Sequence, residues 1–140
     1  MTTHMKKFIA AFAGIAALTI NLSAQTEATP TVDSVAPVVV KTVPEAGAKD
    51  VAAGEVEIKV TFSKEMTDNS WSWSSAWKDS TPTGIGSPKY SADKKTCILK
   101  VKLEPGKTYG YWINSPKFTG FKCKQGKAAI PYFFVFQTKS

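Results

Sequence analysis

The sequence predicts an all-β protein, an antiparallel β-sandwich of about seven strands preceded by a signal peptide. Residues 55–66 and 95–103 alternate apolar and polar side chains with the period of two that is typical of half-buried strands. Glycine- and proline-containing turns separate these stretches from other short apolar segments. Beyond the signal peptide, no stretch has the longer periodicity of an amphipathic helix.

Residues 1–24 have the layout of a secretory signal peptide. Lys6 and Lys7 form a basic start, residues 8–20 form an apolar stretch, and small residues lead up to Ala24. Cleavage is therefore predicted after Ala24, which makes the protein exported, either periplasmic or extracellular.

Two alternatives concern the same N-terminal region. An uncleaved anchor is one, although the apolar stretch is short for a membrane span of about 20 residues. Cleavage after Ala28 is the other. Gln25 stands where a lipoprotein would carry its lipidated cysteine, so lipid anchoring is excluded. We expect no stable membrane anchor once the signal peptide is removed.

Residues 25–36 contain few large apolar side chains and a proline, which predicts a flexible tether. The domain is predicted to cover residues 37–140. Removing the two lysines of the signal peptide lowers the net charge from +7 to +5, and every cation is a lysine. Readers of nucleic acids rely on the planar fork of arginine, so the absence of arginine argues against a nucleic-acid partner.

The predicted strands are short apolar segments bounded by turn residues. The first is VVVKTV, and the clearest is EVEIKVTF, in which Val60 and Phe62 share the inward face. KTCILKVKL places Leu99 and Val101 on its inward face, and TYGYWIN and YFFVFQT follow. The predicted loops lie at residues 44–55, 81–90, 104–107 and 115–129.

The segment WSWSSAW places three tryptophans within seven residues. Trp71 and Trp73 share one face of a strand, and a sandwich of this size commonly buries one tryptophan. We therefore predict that Trp73 is structural, together with Val60, Phe62, Leu99 and Val101. Trp77 lies in a stretch rich in Ser, Lys and Asp, so it is predicted to be partly exposed. The candidate ligand-binding residues are Trp77, Trp112 and Trp71.

The run PVVVKTVPEAGAKDVAAGEVEIKVTFSKEM resembles the opening of bacterial Ig-like domains of the S-layer (SbsA) type. The matching positions are Val39, Pro44, Gly47, Ala48, Val51, Ile58, Val60, Phe62, Ser63 and Met66. LKVKLEPGKTYGYWIN and PYFFVFQTK are similar to the later strands of that family. The resemblance implies an Ig-like sandwich and a non-catalytic role.

The same opening resembles periplasmic copper carriers, which bind metal through histidines. The single histidine of this chain, His4, lies in the signal peptide, so imidazole sites for copper or zinc are excluded from the mature protein. The lack of histidine also removes Ser-His-Asp and Cys-His catalysis. Glu55 and Glu57 are more typical of solvated outward positions than of a paired-carboxylate site. We expect no enzyme activity, no catalytic residues, no metal and no cofactor.

Cys97 and Cys123 suggest a disulfide, since the chain is predicted to be exported. The alternative is a buried thiol at Cys97 and an exposed one at Cys123, which lies in the charged turn KCKQG. With Met66, the two cysteines are also the only candidates for soft copper.

These observations favour a small interaction module at the cell envelope that binds an unidentified protein or cell-surface polymer. The alternative is a carbohydrate-binding module that uses exposed tryptophans as stacking surfaces.

Overall fold

A computed structural model describes residues 13–20, 23–24 and 26–140. The all-β prediction is confirmed, because the described residues form two antiparallel sheets and contain no helix. Most of the predicted signal peptide, namely residues 1–12, 21 and 22, lies outside the described residues, as does Gln25. The eight strands are β1 Val39–Val43, β2 Gly54–Phe62, β3 Trp73–Ser75, β4 Thr83–Gly84, β5 Lys89–Tyr90, β6 Thr96–Leu103, β7 Thr108–Ile113 and β8 Tyr132–Gln137.

The larger sheet has five strands in the order β1-β2-β6-β4, with β5 also paired to β6. Its centre is the antiparallel pair of β2 and β6, the two strands with the clearest alternation in the sequence. Ile58 lies opposite Leu99, and Val60 lies opposite Cys97. Because side chains alternate across a strand, this register buries all four on one face and leaves the lysines on the other.

The smaller sheet has three strands in the order β3-β7-β8. Tyr111 of β7 lies opposite Phe134 of β8, and both side chains are buried between the sheets. Phe121, from the connection after β7, packs between the layers with its ring 5.0 Å from that of Phe62. The core is thus mainly aromatic on this side and aliphatic on the side of the larger sheet.

Residues 81–90, predicted as a loop, contain the short strands β4 and β5, so the prediction is wrong at these four residues. Two-residue strands are too short to show an alternating pattern, and they form because β6 offers free backbone groups on that side.

Tyr109 fixes the corner between β6 and β7. Its hydroxyl oxygen accepts a hydrogen bond of 2.8 Å from the backbone N–H of Glu104, five residues upstream, while its ring is buried. A tyrosine at the start of a strand with this bond is the tyrosine corner of Ig sandwiches. The turn from Glu104 to Lys107 is thereby tied to the core.

The segment before β1 contacts the domain. Residues 31–35 form a turn in which Val35 N–H donates to the Thr31 carbonyl. The ammonium group of Lys64, a residue that is only 8% exposed, donates to the carbonyls of Asp33 and Val35. Lys127 donates to the carbonyl between them, that of Ser34.

Candidate binding surface

Three exposed aromatic side chains lie on the outer face of the smaller sheet. Trp112 of β7 is paired with Phe133 of β8, and their ring centroids are 5.3 Å apart with an angle of 44° between the planes. Trp77 lies over Gly110, two residues before Trp112 on the same face of β7. The exposed fractions are 43% for Trp77, 36% for Trp112 and 44% for Phe133. We call Trp77, Trp112 and Phe133 the aromatic surface.

Gly110 provides the space for the Trp77 indole. A Cβ atom at residue 110 would lie 2.3 Å from Trp77 Cζ3 and 2.6 Å from Cη2, distances that atoms cannot adopt without displacement. Glycine in the middle of a strand costs stability, because it has more backbone freedom to lose on folding. Here the missing side chain lets the indole lie directly on the sheet.

Ser80 holds the turn that carries Trp77. Its hydroxyl donates to the Gly110 carbonyl at 2.8 Å and accepts from the N–H groups of Ala76 and Trp77. The Gly110 N–H donates in return to the Ser80 carbonyl at 2.9 Å. Ser80 is fully buried, and Asp79 beside it has a positive φ of 61°, which non-glycine residues adopt infrequently. Trp77 is therefore held in place by a specific set of contacts.

The aromatic surface is bordered by serine hydroxyls on the side of β3 and by an apolar side chain along β8. Ser74 of β3 is paired with Trp112, and its hydroxyl lies 3.4 Å from that of Ser72. Val135, paired with Gly110, extends the apolar area along β8. Apolar groups with hydroxyls at their margin suit a ligand that offers both apolar area and hydrogen-bonding groups.

Trp71 and Trp73 lie away from the aromatic surface. Trp73 packs edge-on against Tyr111, with ring centroids 5.4 Å apart, and against Phe121 at 5.7 Å, so it lies on the core side of the sheet. Trp71 packs against Tyr90 at 6.4 Å and is only partly exposed. The structure thus brings Trp77 and Trp112 together and leaves Trp71 out of the surface.

The core residues named from the sequence lie between the sheets, where Val60, Phe62, Leu99 and Val101 are buried. Burial raises the pKa of the Cys97 thiol to about 12, because the thiolate would lose its hydration. Trp73 Nε1 itself has no oxygen or nitrogen acceptor.

Cys97 and Cys123 are both free thiols, and both are fully buried. The alternative that placed Cys123 on the surface is wrong. Its neighbours Lys122 and Lys124 point outward, whereas Cys123 points inward. The backbone of Cys123 forms an antiparallel β-bridge with that of Met66. Because side chains alternate between the two sides of the chain here, Cys123 is buried although both of its neighbours are charged.

Glu55 and Glu57 lie on the solvent face of β2 with lysine partners. Glu55 lies 3.2 Å from Lys100, and Glu57 lies 3.5 Å from Lys59, all with largely exposed side chains. Across the described ranges, no group of three or more His, Cys, Asp or Glu side chains is arranged to hold a metal ion. No helix within the described part of the chain is long and apolar enough to cross a membrane.

Sequence reasoning missed Phe133, Gly110 and Ser80. Alternation in YFFVFQ could have identified Phe133, because Phe134 and Phe136 must share one face, which turns Phe133 and Val135 to the other. The contact between Gly110 and Trp77 joins residues 33 positions apart, so no local pattern shows it.

The family described as bacterial Ig-like domain matches residues 33–138. The chain belongs to this family. Bacterial Ig-like domains of this kind are typical of extracellular and surface proteins and are generally non-enzymatic. No curated protein and no solved structure matches the chain. The family thus supports the sandwich and leaves the ligand to be inferred from the surface.

Proposed function

We propose that this bacterial Ig-like domain is an exported, non-catalytic interaction module that binds a protein or a cell-surface polymer through the aromatic surface. The observation that carries the proposal is the position of Trp77 over Gly110, held by Ser80. A tryptophan needed only for stability gains most when it is fully buried. This chain instead holds one that is 43% exposed in a defined place.

The exposed area supports an interaction role on energetic grounds. Clusters of large exposed apolar side chains are uncommon on proteins that bind nothing, because they carry a risk of aggregation. Tryptophan and other aromatic residues are also enriched where binding energy is concentrated. Trp112 and Phe133 add two such side chains beside Trp77.

A protein partner is favoured over a flat polysaccharide surface by the ring geometry. The planes of Trp112 and Phe133 are tilted by 44°, whereas stacking on a flat sugar lattice requires rings in a common plane. Tilted rings form an uneven apolar surface that a partner's side chains can fill. A carbohydrate-binding module remains the second candidate, because Trp77 and Trp112 lie on one face and a twisted glycan chain can follow tilted rings.

Export and the type of family member belong to the same proposal. The basic start, apolar stretch and small residues before Ala24 support secretion. The pattern from Val39 to Met66 supports the S-layer (SbsA) type of bacterial Ig-like domain. We place the mature domain at the cell envelope, in the periplasm or outside the cell.

The test uses residues 25–140 as bait in envelope extracts of the native host and compares three forms: the wild type, Trp112→Ala and Phe118→Ala. Trp112→Ala should reduce capture of the partner by at least about tenfold, the loss expected when an interface aromatic is removed. Phe118→Ala is the matched control, since Phe118 is 52% exposed and packs with Lys117 in the loop after β7. Equal capture by all three forms would exclude the aromatic surface as the binding site.

The same three forms, applied to a panel of soluble bacterial and plant glycans, separate the two candidates. Binding of a glycan that Trp112→Ala abolishes and Phe118→Ala retains would favour the carbohydrate-binding module. Capture of a protein that survives glycosidase treatment of the extract, with the same pattern of variants, would favour the protein partner.

A further inference from the structure

On one side of the sandwich, β1 forms the edge of the larger sheet and β8 forms the edge of the smaller sheet. The chain covers the β8 edge in part and leaves the β1 edge open. Four backbone hydrogen bonds join residues 47–51 to residues 135–139. The C-terminal half of β8 and the residues after it are therefore covered by the chain itself. β1 is the last strand of the larger sheet, and among the described residues no strand pairs with its other side. An open edge presents unpaired N–H and C=O groups to any extended chain.

A groove of about 590 Å³ lies along this open edge. It is lined by the residues of β1, by Glu45 and Ala46, and by Tyr132 at the start of β8. The groove therefore lies where the edges of the two sheets face each other. Tyr132 is partly buried and packs against the core, which makes the floor of the groove continuous with the interior.

The edge itself is apolar with one central charge. Val40 is 59% exposed and Val43 is 42% exposed, and Val38 just before the strand is 43% exposed. Exposed valines on a sheet edge favour pairing with another strand, unless charges or irregularities prevent it. Lys41 supplies the charge, which disfavours a facing strand with a cation opposite it and favours one with an acidic residue there. The register shift between Val39 and Lys41 lies in the pairing with β2, on the other side of β1 from the open edge.

We propose that β1 and this groove accept an extended peptide strand of a partner protein. The strand is about five residues long, matching β1, and is apolar at alternate positions with an acidic residue opposite Lys41. Its backbone pairs with the open edge of β1, and its inward side chains fill the groove beside Tyr132. The added strand would cover the edge that the chain leaves open.

A second copy of this chain is a poorer occupant than a peptide. Antiparallel pairing of two β1 strands about a two-fold axis at their centre places Lys41 opposite Lys41, and like charges directly opposite are destabilising.

The experiment measures peptide binding to residues 25–140 by amide chemical shifts. The probe is the acetylated, amidated peptide TVEVTV, used up to about 1 mM, where weak binding is still visible. We expect saturable shifts confined to residues 38–46 and around Tyr132. The peptide TVPVTV should not bind, because proline cannot donate to the ladder.

Peptides of opposite charge test whether the central residue of the peptide lies opposite Lys41. TVEVTV should bind about fivefold more tightly than TVKVTV, and Lys41→Glu should reverse that order. If neither peptide shifts the β1 amides, or if Lys41→Glu leaves the order unchanged, the proposal fails.

Three further forms make a negative result conclusive and keep this surface separate from the aromatic surface. TVEVTV fused ahead of residue 31 through a Gly/Ser linker raises the effective peptide concentration to the millimolar range. This fusion should raise the Tm above that of a TVPVTV fusion, and equal Tm values would overturn the proposal. Trp112→Ala should bind TVEVTV like the wild type, because Trp112 lies on the outer face of the other sheet.

Discussion

Replacing Gly110 with alanine tests whether the sheet positions Trp77. The new Cβ would lie 2.3 Å and 2.6 Å from two indole carbons and 3.2 Å from the Ala76 Cβ, so the indole must leave its place. Trp77 is 43% exposed, so roughly 100 Å² of its surface is buried, given the 150–250 Å² of a fully buried aromatic residue. At ~25 cal/mol per Å² this burial contributes up to about 2.5 kcal/mol.

Part of that loss is recovered, because alanine restricts the unfolded chain more than glycine does, by about 0.5–1 kcal/mol. We therefore expect Gly110→Ala to lower the free energy of unfolding by about 1.5–2 kcal/mol and the Tm by about 10 °C. The measurement is thermal unfolding followed by circular dichroism. Tryptophan emission at low temperature should also shift to longer wavelength as the indole enters water.

The control is Gly84→Ala, since a Cβ at Gly84 meets nothing within 4 Å. This substitution should leave the Tm unchanged or slightly higher. The decisive comparison is a double-mutant cycle with Trp77→Ala. In that background Gly110→Ala should cost little, because no indole remains to displace. An equal cost in both backgrounds would refute the role assigned to Gly110.

Three further predictions concern the core. Trp73→Ala should lower the free energy of unfolding by about 3–5 kcal/mol in denaturant titrations, because it removes an indole packed on two buried rings; a loss below that of Trp77→Ala would show that Trp73 is not structural. Tyr109→Phe should cost about 1–3 kcal/mol and speed hydrogen exchange at the Glu104 amide, which loses its acceptor; unchanged exchange would contradict the tyrosine corner. Without reductant, Cys97 and Cys123 should be inert to a thiol reagent in the native state and should both react in guanidinium, whereas a disulfide would leave them unreactive.

A fifth prediction follows from the raised pKa of Cys97. Because the folded-state pKa of about 12 exceeds the ordinary value of 9.0, the folded state holds this proton more tightly than the unfolded state. Stability from this thiol is full below pH 9 and is lost as pH rises toward 12. Between pH 9 and pH 12, the Tm of Cys97→Ala should fall less steeply with pH than the Tm of the wild type. Parallel slopes would assign the alkaline loss to other groups.

The long strands were predictable because burial on one face imposes a period of two on the sequence. β2 and β6 each bury alternate residues, so their pattern is visible without the structure. β3 to β5 have two or three residues each, and they form through pairing with β6 or β7 instead of through their own sequence. Their location depends on tertiary contacts.

The binding surface was predictable in part. The polar setting of Trp77 indicated exposure, and the opposite parity of Trp112 and Tyr111 placed Trp112 outward. The parity that Trp71 shares with Trp73 pointed to the inward side, where Trp71 packs with Tyr90. The sequence could not show this contact, because Trp71 lies before β3 and Tyr90 is distant along the chain. The open edge of β1 follows from sheet order, which depends on long-range pairing.

The two chain ends of the domain leave from opposite ends of the sandwich. Lys64, just after β2, holds residues 33–35 at one end, and Thr138 is bonded to Glu104 and Lys107 in the turn at the other. Tension between the ends would therefore run along the strands. The hydrogen bonds of the β1–β2 ladder lie across that direction and would be loaded together in shear. We expect the domain to resist stretching along its length more strongly than peeling from one end.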